Sequence, residues 1–350
     1  VIGYRKVTKE NPRIVAHILE FNPLVFSPKI ILGGSSCIGL ETVHSMQKRT
    51  NAIAAFNGGF YRTGLTLGSN IGMIAIQNKF IHVAEKNRGA IGWNTRSKIT
   101  LFDQLTSIIQ LYLGHYQVHL QGLNEEIRSN QAVLYTHHFA RSTLSPVGTK
   151  EYLLTPDKKL RFLGTKGNSE IPNDCYILSI PSNGQQIPAN LLQTPYYLNI
   201  DVSPQINKEK RGIWQKFEYV LQAGPLLVKD HKIVLGKLNE PIPSEIGPSI
   251  PRARTAVGIK ENGDWVVAII EATSTSNTKG MNLLDLAQFM KSLSCKDALN
   301  LDGGGSSTLV YDGKRFFSSS TIHYPFEHKN VLYMPKEGDR PVGNGIVITN

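Results

Sequence analysis

The sequence predicts an α+β fold, a β-rich mixed sheet with few helices and a βαβ unit in the C-terminal third. Three observations carry this. From about residue 70 to 235, short β-rich runs are divided by Gly, Asn, Asp and Pro, which is strand-and-turn spacing. Trp265-Val266-Val267-Ala268-Ile269-Ile270 is a continuous apolar run of the buried-strand type. Beyond it, apolar residues recur at helical spacing and a second short strand follows at Ala298-Leu299-Asn300-Leu301. Strand, helix, strand at this spacing predicts a parallel crossover.

Taken in order, Ile14 to Phe21 reads as a strand stopped by Asn22-Pro23. Gly33-Gly34-Ser35-Ser36 reads as a loop. Glu41 to Arg49 reads as a short helix, with Val43 and Met46 three apart. Ala52 to Phe56 is a short buried strand that runs into a tight turn at Asn57-Gly58-Gly59. The middle strands include Gly72–Ile76, Gln131–Tyr135 and Cys175–Ile180. In the last third, Leu283, Leu286, Ala287, Met290 and Leu293 fall on one helical face, with Asn282 as N-cap and Asp285 in the first turn. No linker, composition break or tandem repeat divides the chain, although its length alone suggests about two domains or one large one.

Composition narrows the function classes. The 350 residues are 41% hydrophobic and 19% charged, which is globular rather than disordered. The net charge of +11, with a pI near 9.4, calls for an anionic partner. Lys and Arg are scattered, without a basic block or an aromatic-studded basic stripe, which argues against nucleic acid. An anionic small substrate or a phosphate-rich polymer surface fits better. No apolar run approaches the ~18 residues of a membrane helix. Cys37, Cys175 and Cys295 form no CxxC pair, so a zinc ribbon and a disulfide scaffold are excluded. One disulfide with a free thiol and three buried thiols both remain open.

The most informative segment is Asp302-Gly303-Gly304-Gly305-Ser306-Ser307-Thr308. A carboxylate and three glycines at a strand's carboxyl end mark where sheets with crossover helices place sites. Glycines let backbone N–H groups approach a ligand. It is neither a Walker A loop nor a dinucleotide fingerprint. A turn between two strands is the structural alternative. Asn57-Gly58-Gly59-Phe60 is a second turn of this kind, and two such loops suggest one cleft. Arg252 and Arg254 lie two apart before an apolar strand and point the same way, suited to phosphate. His115 and His119 sit in a strand-like alternation that disfavours a metal pair. No His-Glu-x-x-His or Gly-x-Ser-x-Gly motif occurs.

Several blocks resemble the phosphodiester glycosidase family. They are Glu41-Thr42-Val43 with Ala54 to Tyr61, Gln222 to Val228, Arg254 to Gly258, Gly280 to Ala287, Leu299 to Thr308, and Arg340 to Gly345. Their order matches along nearly the whole chain, from the first fifty residues to the last ten, which implies one domain over residues 1–350. One departure is Glu271-Ala272-Thr273, where the family often carries Asp-Gly-Arg. The resemblance implies cleavage between a sugar's anomeric carbon and a phosphodiester oxygen, releasing free sugar (N-acetylglucosamine is one candidate) and a phosphomonoester. It implies Asp302 and Glu271 as catalytic carboxylates. Asn57, Gly58, Arg254, Thr255, Gly303, Gly304, Gly305, Ser306 and Ser307 are then expected to bind substrate.

No cofactor is expected, a hard cation such as calcium at Asp302 being the alternative. A bacterial protein acting on exopolysaccharide outside the cytoplasm is expected: secreted, periplasmic or on the cell surface. The start at Val1 lacks the apolar core of a signal peptide, so a mature form is expected. Two rival functions are a serine-dependent hydrolase using Ser306 or Ser307, and a non-catalytic module for anionic wall or capsule glycans.

Overall fold

The computed structural model describes residues 2–63, 68–84, 87–273, 277–317 and 340–350. Among them, strands dominate and form three sheets. The first has seven strands. Its centre orders Ile14–Phe21, Trp265–Ile270, Arg254–Lys260, Cys295–Asn300 and Leu226–Lys229, each antiparallel to its neighbour. The second is a twelve-stranded mixed sheet built largely from the middle of the chain, and it includes Ile74–Ile76, Ala132–Tyr135 and Tyr176–Ile180. The third holds five strands, with Ala54–Asn57 between Thr308–Tyr311 and Asn344–Thr349.

The C-terminal third refines the expected crossover. Trp265–Ile270 and Cys295–Asn300 do run the same way and are joined through the helix Leu283–Ser292. They are not partners, however. Arg254–Lys260 lies between them, antiparallel to both. Sequence periodicity shows a strand's length and burial but not which strand slips between two others.

The helix forms for local reasons. Asn282 accepts from the Asp285 N–H at 2.8 Å and caps the first turn. Leu283, Leu286, Ala287 and Met290 are buried against the sheet, and Phe289 joins them. Burial of Leu283, Leu286 and Met290 contributes about 1.5–3 kcal/mol each before ordering entropy is counted. Met46 and Val43 bury the short helix Val43–Arg49 in the same way, capped by Thr42 Oγ1 accepting from Ser45 N.

One apolar cluster draws side chains from all three sheets, including Trp265, Trp93 and Phe56. Trp93 packs edge-on against Trp265, with ring centroids 5.1 Å apart, and its Nε1 donates to Pro28 O at 2.8 Å. An interior that can hold an indole N–H must give it an acceptor, and here the acceptor comes from the third sheet. All three cysteines are free thiols; Cys37 and Cys295 are buried.

Candidate active site

The two glycine turns meet. Asn57 ends one strand and Asn300 ends another, and the loops that follow are joined by main-chain and side-chain bonds. Asn57 Nδ2 donates to Asp302 O at 2.7 Å, and the Asp302 N–H donates to Gly58 O at 3.0 Å. Asn57 is fully buried, and its Oδ1 accepts from Thr255 Oγ1 at 2.8 Å and from Thr308 N at 3.1 Å. A second buried amide, Asn344, braces the other side, accepting from the Gly59 N–H at 2.7 Å. Gly58 must be glycine because a Cβ there would lie 2.1 Å from Asn344 Oδ1.

Asp302 faces a pocket of about 650 Å³. Among the described residues, four arginines line it, Arg88, Arg252, Arg254 and Arg340, and Asp302 is the acidic residue there. Phe60, Tyr61 and Ile71 form one apolar side, and Pro243, Ile246 and Pro251 another. Burial pushes the Asp302 carboxyl up from its ordinary value, against the opposing pull of the Ser306 hydroxyl, the Arg340 charge and the Gly303 N–H. The last of these is a bond of 2.9 Å to Oδ1. Tyr61 contacts Ser306 Oγ at 3.4 Å and donates to Pro341 O at 3.0 Å. Burial and the nearby Asp302 charge push its hydroxyl up to about 12, so it stays protonated as a donor. The Arg340 guanidinium lies over the Tyr61 ring, 5.8 Å from its centroid.

Several expected ligand contacts turn out to be internal contacts. Asn57 and Thr255 are buried and bonded to one another, so they hold the loops rather than face the pocket. The Gly303 N–H is committed to Asp302 and the Gly304 N–H to Ala253 O at 2.8 Å. Of the three glycines, Gly305 keeps an N–H outside both contacts. Ser306 and Ser307 are fully buried, and among the described residues no histidine lines the pocket. Ser306 supports Asp302, and neither serine is placed as a nucleophile beside a base.

Arg254 lines the pocket but its guanidinium is anchored in the protein. Nε donates to Met281 O at 3.0 Å, Nη1 to Ile246 O at 2.9 Å, and Nη2 to Gly247 O at 2.7 Å and Ile250 O at 2.9 Å. All four acceptors are main-chain carbonyls, and three belong to one loop. Burial first, then Arg252, lowers its pKa to about 10, which leaves it a cation at neutral pH. Glu271 is not among the lining residues, although its neighbour Ala272 is. Its Oε1 bonds His17 Nε2 at 2.6 Å, and His17 Nδ1 meets Tyr4 Oη at 2.9 Å.

Sequence reasoning gave no role to Arg88, Arg340, Phe60 and Tyr61. Phe60, Tyr61 and Arg340 lie inside recognised blocks, so position in a block was the available signal. Nothing around Arg88 distinguishes it, since it opens an ordinary strand, Arg88–Trp93.

Among the described residues, this β-rich scaffold ends several strands at one pocket lined by arginines and by the Asp302 carboxylate. The chain belongs to the phosphodiester glycosidase family, whose sequence model matches residues 165–349. The mouse N-acetylglucosamine-1-phosphodiester alpha-N-acetylglucosaminidase is 34% identical over 80 residues, 23% of this chain and 14% of that enzyme. The match therefore spans a small part of the curated mammalian relative. An uncharacterised protein of Rickettsia conorii is 24% identical over 259 residues, 70% of this chain and 84% of its own. In fold, a crystal structure of a hypothetical protein from Synechocystis matches with TM-score 0.77 at 22% identity, covering 99% of this chain and 61% of that one. The zebrafish N-acetylglucosamine-1-phosphodiester alpha-N-acetylglucosaminidase catalytic domain matches with TM-score 0.51 at 16% identity, over 100% and 82%.

Proposed function

We propose that the protein hydrolyses the glycosidic bond of a sugar-1-phosphodiester, releasing free sugar and a phosphomonoester. The observation that supports this best is the pairing of one carboxylate of raised pKa with four guanidiniums in one pocket. Glycosidases usually need an acid to protonate the leaving oxygen and a second carboxyl as base or nucleophile. A phosphate leaving group changes that need. A phosphomonoester's second pKa is roughly 6, so the group departs as an anion without a proton. Asp302 then acts as base. It takes a proton from water as the water oxygen bonds the anomeric carbon, and the carbon–oxygen bond to phosphate breaks with its electron pair. Arg252, Arg340 and the Gly305 N–H stabilise the charge that grows on phosphate. Ser306 and Asn57 keep Asp302 in place.

The sugar, including N-acetylglucosamine as the mammalian relative's name suggests, and a location outside the cytoplasm are parts of this proposal. The test is incubation with a panel of sugar-1-phosphodiesters, scoring reducing sugar and new phosphomonoester together. Equal release of both supports the reading. Release of a sugar phosphate and an alcohol would show that the other ester bond is cut. Binding of a polymeric glycan phosphate without any release would favour the non-catalytic module instead.

A further inference from the structure

The loop that links the Lys232–Ile233 strand to the Arg254–Lys260 strand carries four prolines, at 241, 243, 248 and 251. It is fixed at several points. Arg254 binds the carbonyls of Ile246, Gly247 and Ile250. The Leu283 N–H, at the start of the long helix, donates to Pro248 O at 3.0 Å. Arg252 packs so closely on Gly247 that a Cβ there would lie 2.8 Å from its Cζ. Proline stiffens the intervening chain by fixing φ. The wall this loop gives the pocket is therefore held in place before any ligand arrives.

The chemistry of that wall is one-sided. Within residues 241–251 the side chains lining the pocket are Pro243, Ile246 and Pro251, with the Arg252 cation at the end of that segment and Ala253 and Ala272 beyond it. A sugar ring needs partners for its hydroxyls. The carbonyls of residues 246, 247 and 250 would be natural ones, but all three already accept from Arg254. Hydroxyl groups placed against Pro243, Ile246 and Pro251 would lose water and meet no polar side-chain partner in those three. Apolar atoms would gain by burial. The position of the wall is also informative. Gly303, next to Asp302, abuts Arg254, since a Cβ on Gly303 would lie 3.8 Å from Arg254 Cδ, and Arg254 in turn reaches the loop. The order is carboxylate, then arginine, then apolar wall. A sugar at Asp302 with its phosphate toward Arg252 sends the second ester group onto that wall.

We propose that the 241–251 loop selects sugar-1-phosphodiesters whose second ester group is apolar, with Ile246 as a residue that reads that group. This rests on the glycosidase reading for the sugar's placement, but its own content is a binding preference. The experiment compares octyl and methyl diesters of one sugar-1-phosphate, by calorimetric titration and by sugar release. The octyl diester is expected to bind at least tenfold tighter, as one methylene in an apolar pocket already discriminates about tenfold or more. In Ile246→Asn the octyl-to-methyl ratio is expected to fall several-fold, and in Pro243→Ser likewise. Because the ratio is taken within one preparation, a loss of folded protein lowers both signals and leaves it unchanged. Equal binding of the two diesters, or a ratio unmoved in both variants, overturns the proposal whether or not sugar is released. A tenfold preference without sugar release from either diester upholds the apolar wall and overturns the glycosidase reading.

Discussion

Asn57 Nδ2 donates to the main-chain oxygen of Asp302 across 245 residues of sequence, at 2.7 Å. The same amide accepts from Thr255 and Thr308, so one buried side chain ties together three segments at the pocket floor. Asn57→Ala leaves a carbonyl, a hydroxyl and an N–H unpaired in the interior. Each buried unsatisfied group costs about 1–3 kcal/mol, so a loss of roughly 3 kcal/mol or more in urea unfolding is expected. Asn57→Asp keeps both accepting contacts but sets a carboxylate against the Asp302 carbonyl. It should therefore fold better than the alanine variant and still lose turnover. Normal turnover in the aspartate variant would show that this bond does not set the Asp302 position.

Asp302 is expected to trade stability for function. Its folded pKa is raised above the unfolded value, chiefly by burial. The folded state therefore holds its proton more tightly, and ionising the group at neutral pH destabilises the fold. That penalty is absent below the unfolded value of about 3.8 and grows as pH rises from there to the folded pKa. Asp302→Asn should raise Tm at pH 7, with the gain shrinking as pH falls into the acid range. Turnover should drop by orders of magnitude. Glu271→Gln is the comparison, because Glu271 is bonded to His17 and does not line the pocket. Its turnover should stay within about tenfold of the parent. An equal loss in both variants would make Glu271 the second catalytic carboxylate.

The pH profile gives an independent reading of the same group. If ionised Asp302 is the base, kcat/KM should fall on the acid side at a pH above the ordinary value of an aspartate. Arg340 pulls the Asp302 pKa down by its charge. Arg340→Gln removes that pull and should move the acid limb to higher pH. Arg340→Lys should restore most of the position, because it restores the charge. A limb that does not move in Arg340→Gln would assign it to another group.

What the sequence made legible follows from the range of the physics involved. The helix from Leu283, the strand Trp265–Ile270 and the turn at Asn57 are set by nearby residues, and all were readable. The convergence of Asn57 on Asp302 was suggested by two similar turns at strand ends. The insertion of Arg254–Lys260 between two parallel strands is a long-range pairing with no local signature. Residue roles were hardest. Asn57, Thr255 and Ser306 have ligand-binding chemistry, and the fold directs that chemistry inward. Sequence shows which groups can hydrogen-bond, but only packing shows which partner each has found. Arg88 and Arg340 reach the pocket from strand and loop positions far apart in the chain, which a local motif cannot reveal.

Arg254 brings this difference to a test. As a phosphate ligand alone, its removal should weaken substrate binding and leave the structure intact. Its four bonds to carbonyls predict more. Arg254→Ala frees the acceptors at Ile246, Gly247, Ile250 and Met281 together and unfastens the 241–251 loop from the start of its strand. Lysine cannot replace it, since one ammonium cannot match a planar fork aimed at four acceptors. Arg254→Lys should therefore resemble the alanine variant in structure although it retains the charge. Both should lower Tm by several degrees: a loss of 1 kcal/mol moves Tm by about 2–4 °C in a protein of roughly 150–250 residues and by less in a larger one, and four acceptors are freed together here. Both should also speed hydrogen exchange at residues 246–251 while leaving the Leu283–Ser292 helix interior protected. A lysine variant with parental exchange and Tm but a raised KM would return Arg254 to a purely electrostatic role in the pocket.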